Sequence, residues 1–234
     1  MQQGLLLLPV LLPILFWSGY HYHKDRHLPE PAGNLLLCFG LGLLAAALSK
    51  GMYIALGPLG LRYDAVALAA SDGAALFAFA MLAIGPIEEF SKMLPFLIVV
   101  LRFDEYDEPL DGIIYASFIA LGYAAVENYL YLDFMSSVEA IARGFAAPVI
   151  HILFASIWAY WITRARLAGR PLLVPALIGF LLAASLHGMY DFLVLRYPVT
   201  ALPTAAAMIA VIWVWRLRLM HRMHEDAVRG SERR

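Results

Sequence analysis

Eight polar residues fall inside stretches that otherwise read as membrane-buried: Glu88, Glu89, Lys92, Glu127, Asn128, His151, His187 and Asp191. A charged side chain at bilayer depth costs roughly 2.5–3.5 kcal/mol on insertion scales, so each such group needs a partner, and partners at that depth usually mark a site. Carboxylates and imidazoles in this mixture are what a hydrolase uses to hold zinc or to move a proton.

The spacing assigns faces. Glu88 and Glu89 are adjacent, so on a helix they diverge by about 100° and cannot face each other as a carboxyl dyad. One can face the site while the other meets Lys92, which stands one turn along from both. His187 and Asp191, at i and i+4, share a face, where the carboxylate can orient the imidazole or share a metal with it. Taken singly, His151 reads as a packed core histidine, Glu127-Asn128 as an interfacial helix end, and Lys92 with a glutamate as a structural ion pair. The combination is more specific than any member. Zinc lowers the pKa of bound water from about 15.7 to about 7, within reach of a glutamate base whose reference pKa is about 4.3. The expected arrangement is therefore a divalent metal, zinc by preference, held by Glu127, His151, His187 and Asp191. Glu88 or Glu89 would be the catalytic base, with Lys92 and Asn128 in support. A metal-free glutamate–histidine pair activating water stays open.

The elements that position these residues are hydrophobic helices. The chain of 234 residues is 62% hydrophobic and 15% charged, which predicts an all-α, polytopic membrane bundle forming a single domain over 1–234. Apolar runs lie near 4–20, 34–56, 65–84, 86–101, 112–132, 145–163, 172–195 and 199–219, about eight spans. As one straight helix, 65–101 would rise about 55 Å, against a hydrocarbon core of about 30 Å. Gly85-Pro86 is the expected break, making this stretch a helical hairpin. The run Leu5–Trp17 reads as a retained first span, not a cleaved signal. With eight crossings and both termini cytoplasmic, Arg62, Arg102, Arg164, Arg166, Arg170, Arg216 and the other tail arginines lie inside, and Lys24, Arg26, Arg143 and Arg196 outside. Seven crossings with the N-terminus outside satisfy the charges equally well. Eight places Glu88, Glu127, His151, His187 and Asp191 in one layer near the outer face, and is the arrangement expected.

Several classes are excluded or disfavoured. Cys38 is the only cysteine, so neither a disulfide nor a thiolate metal cluster can form within the chain. No H-E-x-x-H or G-x-S-x-G occurs, Tyr190-Asp191 has no G-x-G-D to complete an aspartyl protease signature, and no basic–aromatic groove suggests nucleic acid. His21, His23 and His27, with Lys24 and Arg26, read as an exposed loop. Lys50 and Asp72 read as a pair. An ion- or proton-coupled transporter using the same buried groups is the alternative function, and a catalytically silent membrane scaffold a third.

The order Glu88-Glu89-x-x-Lys92, Asp111-Gly112-Ile113-Ile114-Tyr115, Ala125-Val126-Glu127-Asn128, His151 and His187-x-x-x-Asp191 resembles the PrsW intramembrane protease family. That family is related to the CAAX-prenyl-protease and bacteriocin-processing group. The resemblance covers roughly 65–195. It departs at Ala116, where glycine is common, and at Asp191, where the wider group often has asparagine. It implies a multi-pass metalloendopeptidase of a bacterial cytoplasmic membrane that cuts a membrane-anchored protein near the outer surface, with an anti-sigma factor as the best-known substrate. The family's paired glutamates correspond to Glu88 and Glu89, its middle glutamate to Glu127, and its histidines to His151 and His187. Asp111 reads as a helix N-cap outside the site.

Overall fold

The computed structural model describes residues 8–24, 29–61 and 64–231. Arg26, His27, Arg62, Arg233 and Arg234 lie outside them. Eight helices and no strand occur among the described residues: α1 (Leu8–Lys24), α2 (Ala32–Ala55), α3 (Ala65–Ser71), α4 (73–98), α5 (Asp111–Tyr131), α6 (Ser137–Leu167), α7 (Leu173–Arg196) and α8 (Leu202–Ser231). Six of the described helical stretches are long and apolar enough to cross a membrane. The protein is an integral, multi-pass membrane protein.

The hairpin expected at Gly85-Pro86 does not form. Gly85 keeps ordinary right-handed angles (φ −54°, ψ −50°), and the helix runs on through it. Proline cannot donate to the carbonyl one turn back; the chain takes this up by widening into a π turn over Ala80–Ile84. The break falls earlier, at Asp72, whose extended backbone separates α3 from α4 and whose carboxylate accepts from the amides of Ala74 and Ala75. Asp72 is thus an N-cap, not a partner for Lys50. Residues 73–102 form one span, and Glu88 reaches the layer of the other site residues from near its middle. Splitting 65–101 into two crossings is not needed to bring them together.

α5 is the axis of the bundle. Its apolar window is 78% buried, against 17% for α8. Small residues along it let neighbours approach on all sides, as interfaces without a hydrophobic driving force require. At the α2–α5 crossing, Gly42 and Gly122 face each other, and a β-carbon on either would strike the opposite backbone. The α4–α7 crossing repeats the device: a β-carbon on Gly85 would strike the Ala184 carbonyl, and one on Gly188 the Ala80 carbonyl. That second crossing sets the distance between Glu88-Glu89 and His187.

At the other end of the bundle α8 is pinned by a buried arginine. Arg216 donates through Nε to Ser156 Oγ (2.8 Å) and through Nη2 to Ser117 Oγ (3.0 Å), and meets His21 Nδ1 at 3.3 Å. His21 and Arg216 are both fully buried. The exposed-loop reading of His21 is therefore corrected: α1 extends to Lys24 and carries His21 inward, and Arg216 belongs to the interior and not to a basic tail. Asp111 lies in the first turn of α5, where its carboxylate receives the amides of Asp107 and Glu108 and ties down the preceding loop.

Candidate active site

α4, α5, α6 and α7 bring their polar residues to one cavity of about 810 Å³. Glu88, Glu127, His151, His187 and Asp191 all line it; Glu89, Lys92 and Asn128 do not. The four-helix convergence expected from the sequence is present, with a division of labour that adjacency alone left open.

Glu89 is the buried partner. Its side chain is fully excluded from solvent, and both oxygens are engaged. Oε1 accepts from Lys92 Nζ at 2.6 Å and from His187 Nδ1 at 2.7 Å; Oε2 accepts from the indole N–H of Trp158 at 2.9 Å. With Nδ1 committed to Glu89, His187 turns Nε2 toward the cavity, 3.6 Å from Glu88 Oε2 and 3.5 Å from Asp191 Oδ2. Phe154 stacks on the ring at 4.9 Å and holds its plane. This is a carboxylate-oriented histidine, the usual support for a ring nitrogen that ligates metal or handles a proton.

Glu88 points the other way. Tyr53 donates to Oε1 at 3.3 Å, while Oε2 is buried and has no hydrogen-bond partner. A buried carboxylate oxygen left in this condition is costly unless something occupies the space before it. Glu88, His151 and His187 each offer a donor atom, all within 4.8 Å of one another. Two imidazoles and a carboxylate form a donor set suited to zinc, and the unpartnered Oε2 supplies the lone pair. The residues present fit a divalent metal.

His151, 5.3 Å from His187 between ring centroids, has both nitrogens engaged. Lys92, which can only donate when charged, stands 3.2 Å from Nδ1, leaving Nε2–H to donate to Glu127 Oε2 at 2.5 Å. Glu127 Oε1 in turn accepts from Arg143 Nη2 at 2.6 Å. Lys92 thus ties Glu89 to His151 from below, and Glu127 ties His151 to Arg143 from above.

Three residues of this network are absent from the sequence-derived set: Trp158, Arg143 and Tyr53. Trp158 stands two turns after His151 and Arg143 about two turns before it, so α6 carries all three along neighbouring rows. That periodicity was the available signal. Tyr53 carries none, because only the packing of α2 against α4 brings it to Glu88. Asn128 is buried with neither amide atom hydrogen-bonded to protein, and it does not line the cavity.

The PrsW family intramembrane metalloprotease model matches residues 30–217, most of the chain and all of the site. The chain belongs to the PrsW family. It is 34% identical over 177 residues to Protease PrsW of Geobacillus kaustophilus, covering 76% of this chain and 74% of that one. Identity to Protease PrsW of Oceanobacillus iheyensis is 28% over 218 residues, covering 93% and 95%. Identity to Protease PrsW of Bacillus subtilis is 29% over 185 residues, covering 78% and 79%. No solved structure matches the chain. Family membership makes this a membrane protease acting on protein substrates, and the transport reading gains no support.

Proposed function

We propose that this PrsW-family protease is a zinc-type endopeptidase that hydrolyses a peptide bond of a membrane-anchored protein within the cavity bounded by α4–α7. The observation that carries the reading is the meeting of Glu88, His151 and His187, with Glu88 Oε2 buried and unpartnered. These three would hold the metal, with His151 exchanging Glu127 for it at Nε2. When bound, the metal supplies Lewis acidity toward the scissile carbonyl and an acidified water.

The chain's own residues do the rest. Glu89, held by Lys92 and Trp158, fixes the tautomer of His187 so that Nε2 faces the cavity. Glu127, once freed from His151 Nε2, takes the proton at Oε2 while Arg143 anchors Oε1. It then returns that proton to the leaving amine. Glu88 and Glu127 thereby exchange the roles expected from sequence order. Asp191, 3.5 Å from His187 Nε2 and partly open to the cavity, lies beside the reacting atoms as a second acceptor. The apolar rim, including Leu56, Val66, Leu195 and Leu202, suits an unfolded stretch of transmembrane substrate. A first cut in an anti-sigma factor is the substrate role implied by the family resemblance.

One observation favours a second reading. His151 has both nitrogens satisfied by Lys92 and Glu127 while Glu88 Oε2, 3.6 Å from His187 Nε2, makes no hydrogen bond, the arrangement expected if Glu88 itself takes the proton from water without a metal. Cleavage of a single-span substrate in proteoliposomes, before and after chelation and with metal restored, separates the two. The first predicts loss and recovery of activity, the second indifference.

A further inference from the structure

Along one exposed face of α8 the side chains change character in order. Ala210, Val211 and Val214 come first, Trp215 follows, and Arg218 and Arg222 lie on the next two turns with Leu219 between them; with Tyr160 of α6 they border a groove of about 630 Å³. Tyr160 packs edge-on against Trp215, centroids 5.9 Å apart, and accepts from Arg164 Nη1 at 3.0 Å, so a third guanidinium stands at the rim. Among the described residues no carboxylate lines the groove.

We propose that this groove binds one anionic phospholipid, its phosphate between Arg218 and Arg222 and an acyl chain along Ala210, Val211 and Val214. Apolar, then aromatic, then cationic is the order of a leaflet from chain to headgroup, and basic pockets between membrane helices are where anionic headgroups bind. Guanidinium is the group best shaped to meet a phosphate with two parallel hydrogen bonds. The helix concerned is also the one that needs the tie. α8 is the least buried of the candidate spans, and Arg216 is its buried polar tie to α5 and α6. A lipid bridging α8 and α6 fastens its outward face. The site shares no lining residue with the catalytic cavity, and the proposal stands whatever the fate of the metal.

The test uses the full chain, purified and stripped of lipid in a neutral detergent. Its melting temperature is followed as dioleoylphosphatidylglycerol, dioleoylphosphatidylcholine or inorganic phosphate is added. A saturable rise is expected with phosphatidylglycerol alone. In Arg218→Gln/Arg222→Gln the midpoint of that rise should move at least about tenfold higher, the loss of two headgroup contacts. Val211→Trp, which fills the groove and keeps its charges, should do the same if the double variant does not fold. Arg102→Gln/Arg170→Gln, equal in charge and outside the groove's lining, should respond as the native chain does. An equal rise with phosphatidylcholine or free phosphate would overturn the proposal, as would equal losses in both arginine pairs or an undiminished rise in the groove variants.

Discussion

Glu89 Oε1 lies 2.7 Å from His187 Nδ1 across the α4–α7 crossing, and the same oxygen lies 2.6 Å from Lys92 Nζ. One carboxylate therefore neutralises a buried lysine and orients the histidine that faces the cavity. Replacing it should expose both dependencies. Glu89→Gln leaves Lys92 buried without its counter-charge, a loss of about 3–5 kcal/mol for a broken buried pair. Glu88→Gln, altering a carboxylate with one unpartnered oxygen, should cost far less. Unfolding of the two variants in detergent should rank Glu89→Gln well below Glu88→Gln, and the reverse order would contradict these assignments.

Trp158 contributes a donor as well as bulk. Trp158→Phe keeps a ring in the core but removes the N–H that Glu89 Oε2 accepts at 2.9 Å. The expected loss is about 1–3 kcal/mol for a buried acceptor left unmade, together with slower substrate cleavage as the Glu89–His187 bond loosens. Full native stability and rate in this variant would remove Trp158 from the network.

The α4–α7 crossing leaves no room for a side chain. Gly85→Ala and Gly188→Ala each place a methyl against backbone of the facing helix and should separate Glu89 from His187, with loss of folded protein or of activity. Gly40→Ala meets nothing within 4 Å and should behave as the native chain. Cleavage assays on the three, normalised to folded protein, provide the comparison.

Glu30, ahead of α2, is buried and accepts from the Tyr115 hydroxyl. Burial pushes its carboxyl above the ordinary 4.5, outweighing the hydrogen bonds from Tyr115 and Asp111 that pull it down. A folded-state value above the unfolded one means a proton held more tightly in the folded chain, so this stabilisation is full below 4.5 and is lost as pH rises through the raised value. Melting temperature of the native chain should fall relative to Glu30→Gln as pH rises from about 4.5. Parallel curves for the two proteins would contradict that account.

Much of this was legible in the sequence because membrane burial makes charge conspicuous. Glu88, Glu127, His151, His187 and Asp191 stood out as expensive groups in apolar runs, and the structure brings all five to one cavity. What sequence reasoning lost was geometry that depends on neighbours. Gly85-Pro86 carries a strong break signal, yet a π turn absorbs the proline and the close approach of α7 explains the glycine. His21 looked like part of a polar loop because its partner, Arg216, is 195 positions away. Arg143 was counted as a loop charge, although its row on α6 faces the cavity and its guanidinium pairs with Glu127.

The central claim is that Glu88, His151 and His187 form one reaction centre that holds a metal. It is tested most directly by measuring, on the same preparations, bound zinc and cleavage of a single-span substrate for the native chain and for Glu88→Gln. The account predicts stoichiometric metal and cleavage in the native chain, and loss of both in a variant that remains folded. Undiminished cleavage by folded Glu88→Gln would contradict it.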